Sequence, residues 1–238
     1  MSRGLGDVYK RQIIIRGGTD INLFDSPLLL CRNSGLSFEQ RLFKRIFDIV
    51  VSVICLIILS PFMLIIAAAI KIDDGGSIIY KQKRLTINGK EFFVYKFRSM
   101  IPNAEKNGVP QLATGSDSRI TRVGKFLRKC RLDELPQLFN IIKGDMSVVG
   151  PRPERPELTE KYEREMPEFK FRLKVKAGLT GYAQVTGVYD TTPYDKLKMD
   201  LMYIERYSMV MDLRIILMTI KTMISPGEMN SEADKEKY

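Results

Sequence analysis

The stretch IVVSVICLIILSPFMLIIAAAI, Ile49–Ile70, decides how this chain is built. Every residue in it is apolar except Ser52, Ser60 and Pro61. Its roughly 22 residues make a helix of about 33 Å, close to the thickness of a bilayer's hydrocarbon core. Two details oppose a plain span. Pro61 lies at the middle, where it removes a backbone donor and its ring crowds the carbonyl four residues back. Both flanks are also basic: Arg41, Lys44 and Arg45 precede the run, and Lys71, Lys81, Lys83 and Arg84 follow it. Cations beside a membrane segment favour the cytoplasmic side. A helix broken at Ser60-Pro61 that dips in and returns satisfies both flanks. A kinked helix that crosses fully is the competing reading, since spanning helices tolerate proline. Physics alone leaves the two level.

Composition narrows the chemistry. The chain has 238 residues, 45% of them hydrophobic, enough for one catalytic domain and a membrane element. Lys and Arg outnumber Asp and Glu 38 to 28, which favours an anionic partner: nucleic acid, anionic lipid or a phosphorylated substrate. Histidine is absent. That removes Ser-His-Asp and Cys-His catalysis and His-ligated zinc, leaving carboxylates, Lys, Arg, Tyr, Cys or a bound metal. Cys31, Cys55 and Cys130 are far apart and read as reduced, structural thiols.

Residues 1–40 read as a linker or N-terminal extension, with short strands or linker at Ile13–Ile15 and Ile21–Leu30 and no apolar core of a signal peptide. Ser77–Tyr80 and Phe92–Phe97 read as a strand pair around Asn88-Gly89, a turn signal. Residues 101–118 read as loop. Arg122–Lys129, Leu135–Lys143, Leu158–Phe171, Tyr194–Tyr207 and Met211–Ile224 read as helices, and Ala177–Gly187 as a Gly-rich loop. In the last helix Leu213, Ile216, Leu217 and Ile220 form an apolar stripe, for the core or a membrane interface. Residues 226–238 read as a flexible tail.

Three segments suit phosphate chemistry. Arg131-Leu132-Asp133-Glu134-Leu135-Pro136-Gln137 puts two carboxylates at a helix start. Taken alone, that is an ordinary acidic first turn. Here Arg122, Lys125, Arg128, Lys129 and Arg131 precede the pair, and Arg152 follows. Cations should depress the carboxyl pKa values and keep both ionised, ready to attack phosphorus or hold Mg²⁺. Gly150-Pro151-Arg152-Pro153 restricts an arginine between prolines, as a phosphate clamp or an ordinary surface turn. Tyr95-Lys96-Phe97-Arg98-Ser99-Met100 alternates rings with cations at strand spacing, as a basic strip or an amphipathic edge strand.

Together these motifs resemble the bacterial sugar transferases, the polyprenyl-phosphate hexose-1-phosphate transferases. The matching pieces run in order: Lys44-Arg45-Ile46-Phe47-Asp48, Ser60-Pro61, Lys96-Phe97-Arg98-Ser99-Met100, Leu132-Asp133-Glu134-Leu135-Pro136-Gln137, Lys143-Gly144-Asp145-Met146-Ser147, Val149-Gly150-Pro151-Arg152-Pro153-Glu154, Gly178-Leu179-Thr180-Gly181-Tyr182-Ala183-Gln184-Val185, and Asp200 opening an Asp-Leu-x-Tyr. Ala177 and Tyr182 depart from the family's usual Pro and Trp. Residues 13–35 look like the linker that follows extra N-terminal membrane helices in longer members.

The resemblance implies an α+β, mostly helical fold. A re-entrant membrane hairpin, about 44–72 and broken at Ser60 and Pro61, would join a small cytosolic domain within 41–225, with a short β-hairpin and interfacial amphipathic helices. It implies transfer of sugar-1-phosphate from a UDP-sugar to polyprenyl phosphate, with UMP released and Asp133 carrying a covalent sugar-phosphate. Asp133 and Glu134 would act with Mg²⁺ and hold it. Lys96, Arg98, Arg128, Pro151, Arg152, Pro153 and Asp200 would serve the phosphates and nucleotide. Membrane lipid is an expected partner, a homodimer a further one, and nucleic acid none. The expected location is the cytoplasmic face of the bacterial inner membrane. The competing readings are a non-catalytic, basic lipid-binding protein and a glycosyltransferase that releases UDP. The sugar is not legible.

Overall fold

The computed structural model describes residues 19–23, 26–30, 35–101, 117–187 and 191–224, the first two segments by backbone alone. The readings of Ile13–Ile15, of the tail and of most of the 101–118 loop lie outside the described residues. The first described segments, β1 (Thr19–Leu23) and β2 (Ser26–Leu30), pair antiparallel.

One helix dominates. α1 (Phe38–Asp74) begins with a capping box, in which Ser37 accepts from the Gln40 N–H and Gln40 reaches back to the Ser37 N–H. It ends on Gly75, whose φ of 71° needs a residue without Cβ strain. The expected break at Ser60-Pro61 is absent as a break: the helix runs continuously through the pair. The reason is local. Pro61 cannot donate to the carbonyl of Ile57, and the Ser60 hydroxyl does so instead, at 2.9 Å.

Both ends of α1 are fastened to the same globular body. Near its start, Lys44 Nζ lies 2.6 Å from Asp212 Oδ2, and Arg45 donates to the carbonyls of Ile141 and Ile142 at 2.6 and 2.7 Å. Asp48 Oδ1 accepts from the Ser147 hydroxyl and the Val148 N–H. Near its end, Asp74 pairs with Arg98, and Ile70 packs on Phe97 and Leu127. Lys44 is only 7% exposed, so it belongs to the protein interior and not to the headgroup-facing flank expected of it. Between the ends, Ile54, Ile57, Ile58, Phe62, Leu64 and Ile65 face outward. α1 is long and apolar enough to cross a membrane, and the most apolar part of it is left largely unburied by the rest of the protein, as membrane association requires.

β3 (Ile79–Leu85) and β4 (Glu91–Phe97) form the expected hairpin, with Asn88 and Gly89 at positive φ in the turn. α2 (Arg122–Lys129) follows, capped by Thr121. A 3₁₀ turn (Leu132–Glu134) leads into α3 (Gln137–Lys143), which stops at Gly144. The strand β5 (Met146–Val149) pairs in parallel with β6 (Ala177–Thr180), and all four β5 residues are buried. This pair and the helix α5 (Tyr182–Thr186) replace the expected Gly-rich loop, because backbone burial here comes from a parallel partner and not from side-chain alternation. The expected Leu158–Phe171 helix is likewise divided: α4 (Pro156–Glu165) ends before Pro167, and a 3₁₀ segment (Pro167–Lys174) continues.

α6 (Pro193–Glu205) and α7 (Met209–Ile224) complete the fold. Of the two roles expected for the stripe on α7, the structure gives the outward one to most of it: Leu213, Leu217 and Ile220 point outward, while Asp212 and Ile215 are buried and Ile216 packs on the core. The main core gathers Phe92, Val94, Leu138, Ile141, Met146, Val149, Tyr203 and Ile215, with Val51, Cys55 and Leu56 of α1 against it. Fold class is therefore as expected: mostly helical, with small two-stranded sheets and one long apolar helix.

Candidate active site

The carboxylate pair sits in the 3₁₀ turn between α2 and α3. Just before it, Arg131 adopts φ 54°, ψ 21°. A left-handed arginine costs about 1 kcal/mol, and such strain tends to be kept where a side chain must be aimed. Pro136 then starts α3 with its φ already helical. Leu132 and Leu135, on either side of the pair, pack against the cluster of Ile70 of α1, Phe97 of β4 and Leu127 of α2. The turn bearing Asp133 and Glu134 thus shares an apolar cluster with the end of the apolar helix.

Glu134 is the electrostatic centre. Its Oε1 accepts from Lys96 Nζ at 2.6 Å and from Arg152 Nη2 at 3.0 Å. Burial works to raise its pKa, but Arg152 and Lys96 outweigh it and hold the carboxyl at about 2. Lys96 is itself pushed down by burial, against the pull of Glu134. Asp133 differs from the expectation for a carboxylate among cations. Burial raises its pKa, Glu134 adds to the rise, and Lys96 and Arg128 offset it only in part. Ionisation of Asp133 therefore depends on the cations around it.

The structure brings Lys96, Arg128 and Arg152 to the carboxylates, from β4, α2 and the loop after β5. Arg128 is steadied by the Ser99 hydroxyl, 2.9 Å from its Nε. Pro151 and Pro153 are buried, and Arg152 stands exposed between them. Gly150 and Gly178 let two chain segments meet beneath this loop: a Cβ on Gly178 would lie 2.1 Å from the Gly150 nitrogen. Arg98 and Asp200 are set apart from the pair. Arg98 is committed to Asp74 at the end of α1. Asp200, 2% exposed, binds Arg172, whose Nη2 lies 2.7 Å from Asp200 Oδ2.

Sequence reasoning missed Arg172, Ser99 and Asn140. Asn140 had a signal, as the polar residue within Leu138–Ile142. Its amide donates to the Phe93 carbonyl at 2.8 Å and accepts from the Tyr95 N–H at 2.9 Å, so it serves β4 as a neighbouring strand would. Arg172 had none, lying just past the stretch read as a helix, Leu158–Phe171.

Among the described residues no group of three acidic or cysteine side chains suits a metal ion. Two adjacent carboxylates are nonetheless the donor set that Mg²⁺ uses when substrate phosphates supply further oxygens. Asp133 fits better than Glu134, whose Oε1 already carries two cations.

Residues 39–226 match the model of the bacterial sugar transferases. The chain belongs to that family. Among curated relatives, this sugar transferase is 42% identical, over 76% of its length, to the UDP-N-acetylgalactosamine-undecaprenyl-phosphate N-acetylgalactosaminephosphotransferase of Aeromonas hydrophila. It is 43% identical, over 87%, to the UDP-glucose:undecaprenyl-phosphate glucose-1-phosphate transferase of Klebsiella pneumoniae. The matched parts are 44% and 43% of those two proteins, so the chain spans less than half their length. A shorter relative, the exopolysaccharide production protein PSS of Rhizobium leguminosarum bv. phaseoli, is 40% identical over 78% of this chain and 96% of its own.

Proposed function

We propose that this sugar transferase moves sugar-1-phosphate from a UDP-sugar to polyprenyl phosphate, releasing UMP, at the cytoplasmic face of the inner membrane. The observation that carries the reading is the carboxylate pair on its 3₁₀ turn: Glu134 binds Lys96 and Arg152, the charges of Lys96 and Arg128 act on Asp133 beside it, and the flanking leucines join the apolar cluster around Ile70 of α1. In the first step a carboxylate oxygen of Asp133 attacks the sugar-bearing phosphorus. The bond from that phosphorus to the bridging oxygen breaks, and UMP departs with the electron pair. In the second, a phosphate oxygen of the lipid attacks the same phosphorus, and the bond to Asp133 breaks. Polyprenyl-diphosphate-sugar forms and the free carboxylate returns.

Arg128 and Arg152 bind the phosphates and offset repulsion between the anionic nucleophile and its target. Lys96 keeps Glu134 charged and in place. Mg²⁺, when held by Asp133 with Glu134 beside it, supplies further charge neutralisation on the phosphate oxygens.

Membrane attachment follows the same reading. A helix whose two ends are fastened to one globular body enters and leaves the bilayer on one side, and on this reading α1 is re-entrant. The lipid phosphate then reaches Asp133 from the side, and water is kept from the first intermediate.

The test is nucleotide release by purified protein in detergent, given polyprenyl phosphate, Mg²⁺ and each of several UDP-sugars. UMP is expected, and UDP would point to a glycosyltransferase instead. Asp133→Asn is expected to lower kcat by about a thousandfold or more. Undiminished turnover by that variant removes Asp133 as the nucleophile.

A further inference from the structure

Four consecutive carbonyls of the loop that carries Arg152 each accept a hydrogen bond. Pro151 takes one from the Gly178 N–H at 2.9 Å, and Glu154 one from the Leu85 N–H at 3.0 Å. Pro153 takes one from Arg84 Nη1 at 3.2 Å, and Arg152 one from Arg172 Nη2 at 2.9 Å. Both arginine donors reach three partners, Arg84 also binding Gln82 and Glu154. Arg172 differs in being buried together with its carboxylate partner. Besides the Arg152 carbonyl, its Nε and Nη2 lie 3.0 and 2.7 Å from Asp200 Oδ2, and its Nη1 lies 3.8 Å from Glu154 Oε1. The Phe169 ring lies 4.8 Å from the guanidinium carbon.

Burying such a pair carries a desolvation cost, and well-packed apolar residues of equal volume often serve stability as well or better. Cohesion alone is therefore a poor account of Arg172 and Asp200. What apolar residues lack is the donor on the Arg152 carbonyl. That carbonyl belongs to the residue whose guanidinium donates to Glu134.

We propose that Arg172, held by Asp200, is a positioning residue that sets the backbone of Arg152 and thereby the reach of its guanidinium toward the phosphates of the nucleotide-sugar. This rests on the transferase reading above. Asp200 thus serves the site at one remove, through Arg172, without touching substrate. The planar fork of an arginine matters here, because a lysine ammonium can satisfy Asp200 but does not span both acceptors in fixed geometry.

The proposal predicts a split between the two substrates. In the purified protein, Arg172→Lys raises the KM for UDP-sugar about tenfold and leaves the KM for polyprenyl phosphate unchanged. Joined to Arg152→Lys, it adds no further loss, since both act through one guanidinium. Asp200→Asn shifts the same constant in the same direction by less. Additive losses, or equal shifts for both substrates, overturn the proposal in favour of a purely structural pair. Amide exchange over residues 150–155 reads the positioning without activity. Arg172→Lys accelerates exchange there while β5 stays protected, and unchanged exchange overturns the proposal. If wild-type chain releases no UMP, the transferase reading falls and this second measurement decides the positioning alone. If Arg172→Lys does not fold, Asp200→Asn carries the same measurements.

Discussion

Glu134 and Asp133 are neighbours on one turn with opposite electrostatic fates, and each has its own pH signature. Glu134 titrates at about 2 in the fold, below the ordinary glutamate range of about 4. A depressed carboxyl stabilises fully above its unfolded pKa, and that stabilisation is lost as pH falls from about 4 toward 2. The shift corresponds to roughly 3 kcal/mol, and the burial of Lys96 offsets part of it. Urea unfolding in detergent is expected to show this acid slope in wild type and not in Glu134→Gln. For Asp133, whose pKa is raised by burial, the acid limb of kcat/KM should lie above the ordinary aspartate range. Arg128 lowers that pKa, so Arg128→Gln moves the limb upward. A limb that stays in place shows that Arg128 does not act on Asp133. The carboxylates and their cations were legible in the sequence as a cluster of residue types. The difference between the two was not, because it depends on which oxygen receives Lys96 and Arg152.

At the scale of elements, α1 and α7 are joined by a buried ion pair that hid α7's core face from a hydropathy reading. Lys44 is paired with Asp212, which also accepts from the Tyr203 hydroxyl at 2.8 Å. A face containing Asp212 does not register as core by pattern, so hydropathy left the stripe of Leu213, Ile216, Leu217 and Ile220 undecided between core and membrane interface. Lys44→Met leaves an unpaired buried carboxylate and is expected to destabilise by about 3–5 kcal/mol, read as a lower midpoint in chemical unfolding. Replacing both partners, as Lys44→Met with Asp212→Leu, should recover much of that loss. Local signals worked where they were strong: Asn88-Gly89 marked its turn, and α2 runs over the residues expected of it. They failed at β5 and β6, four residues each, whose pairing partner lies some thirty residues away in the chain.

For the whole molecule, the proposed membrane attachment assigns the outward stripes of α1 and α7 to lipid, and this can be tested. Leu217 is 66% exposed, so Leu217→Glu should leave the fold intact while weakening retention on vesicles in flotation assays. Cysteines introduced at Glu39 and Ser77, in a background with Cys31, Cys55 and Cys130 changed to serine, test the course of α1. A membrane-impermeant reagent on the cytoplasmic side is expected to label both, and labelling of one alone shows a crossing helix. The Lys44–Asp212 contact, 168 residues apart in sequence, also has a consequence for biosynthesis. The apolar helix leaves the ribosome long before α7 is made, so under the proposed attachment it meets the lipid while its lysine still lacks a counter-ion. Final seating of the membrane segment therefore waits for the last helix to be translated, and a nascent chain halted before Asp212 should remain protease-sensitive around Lys44.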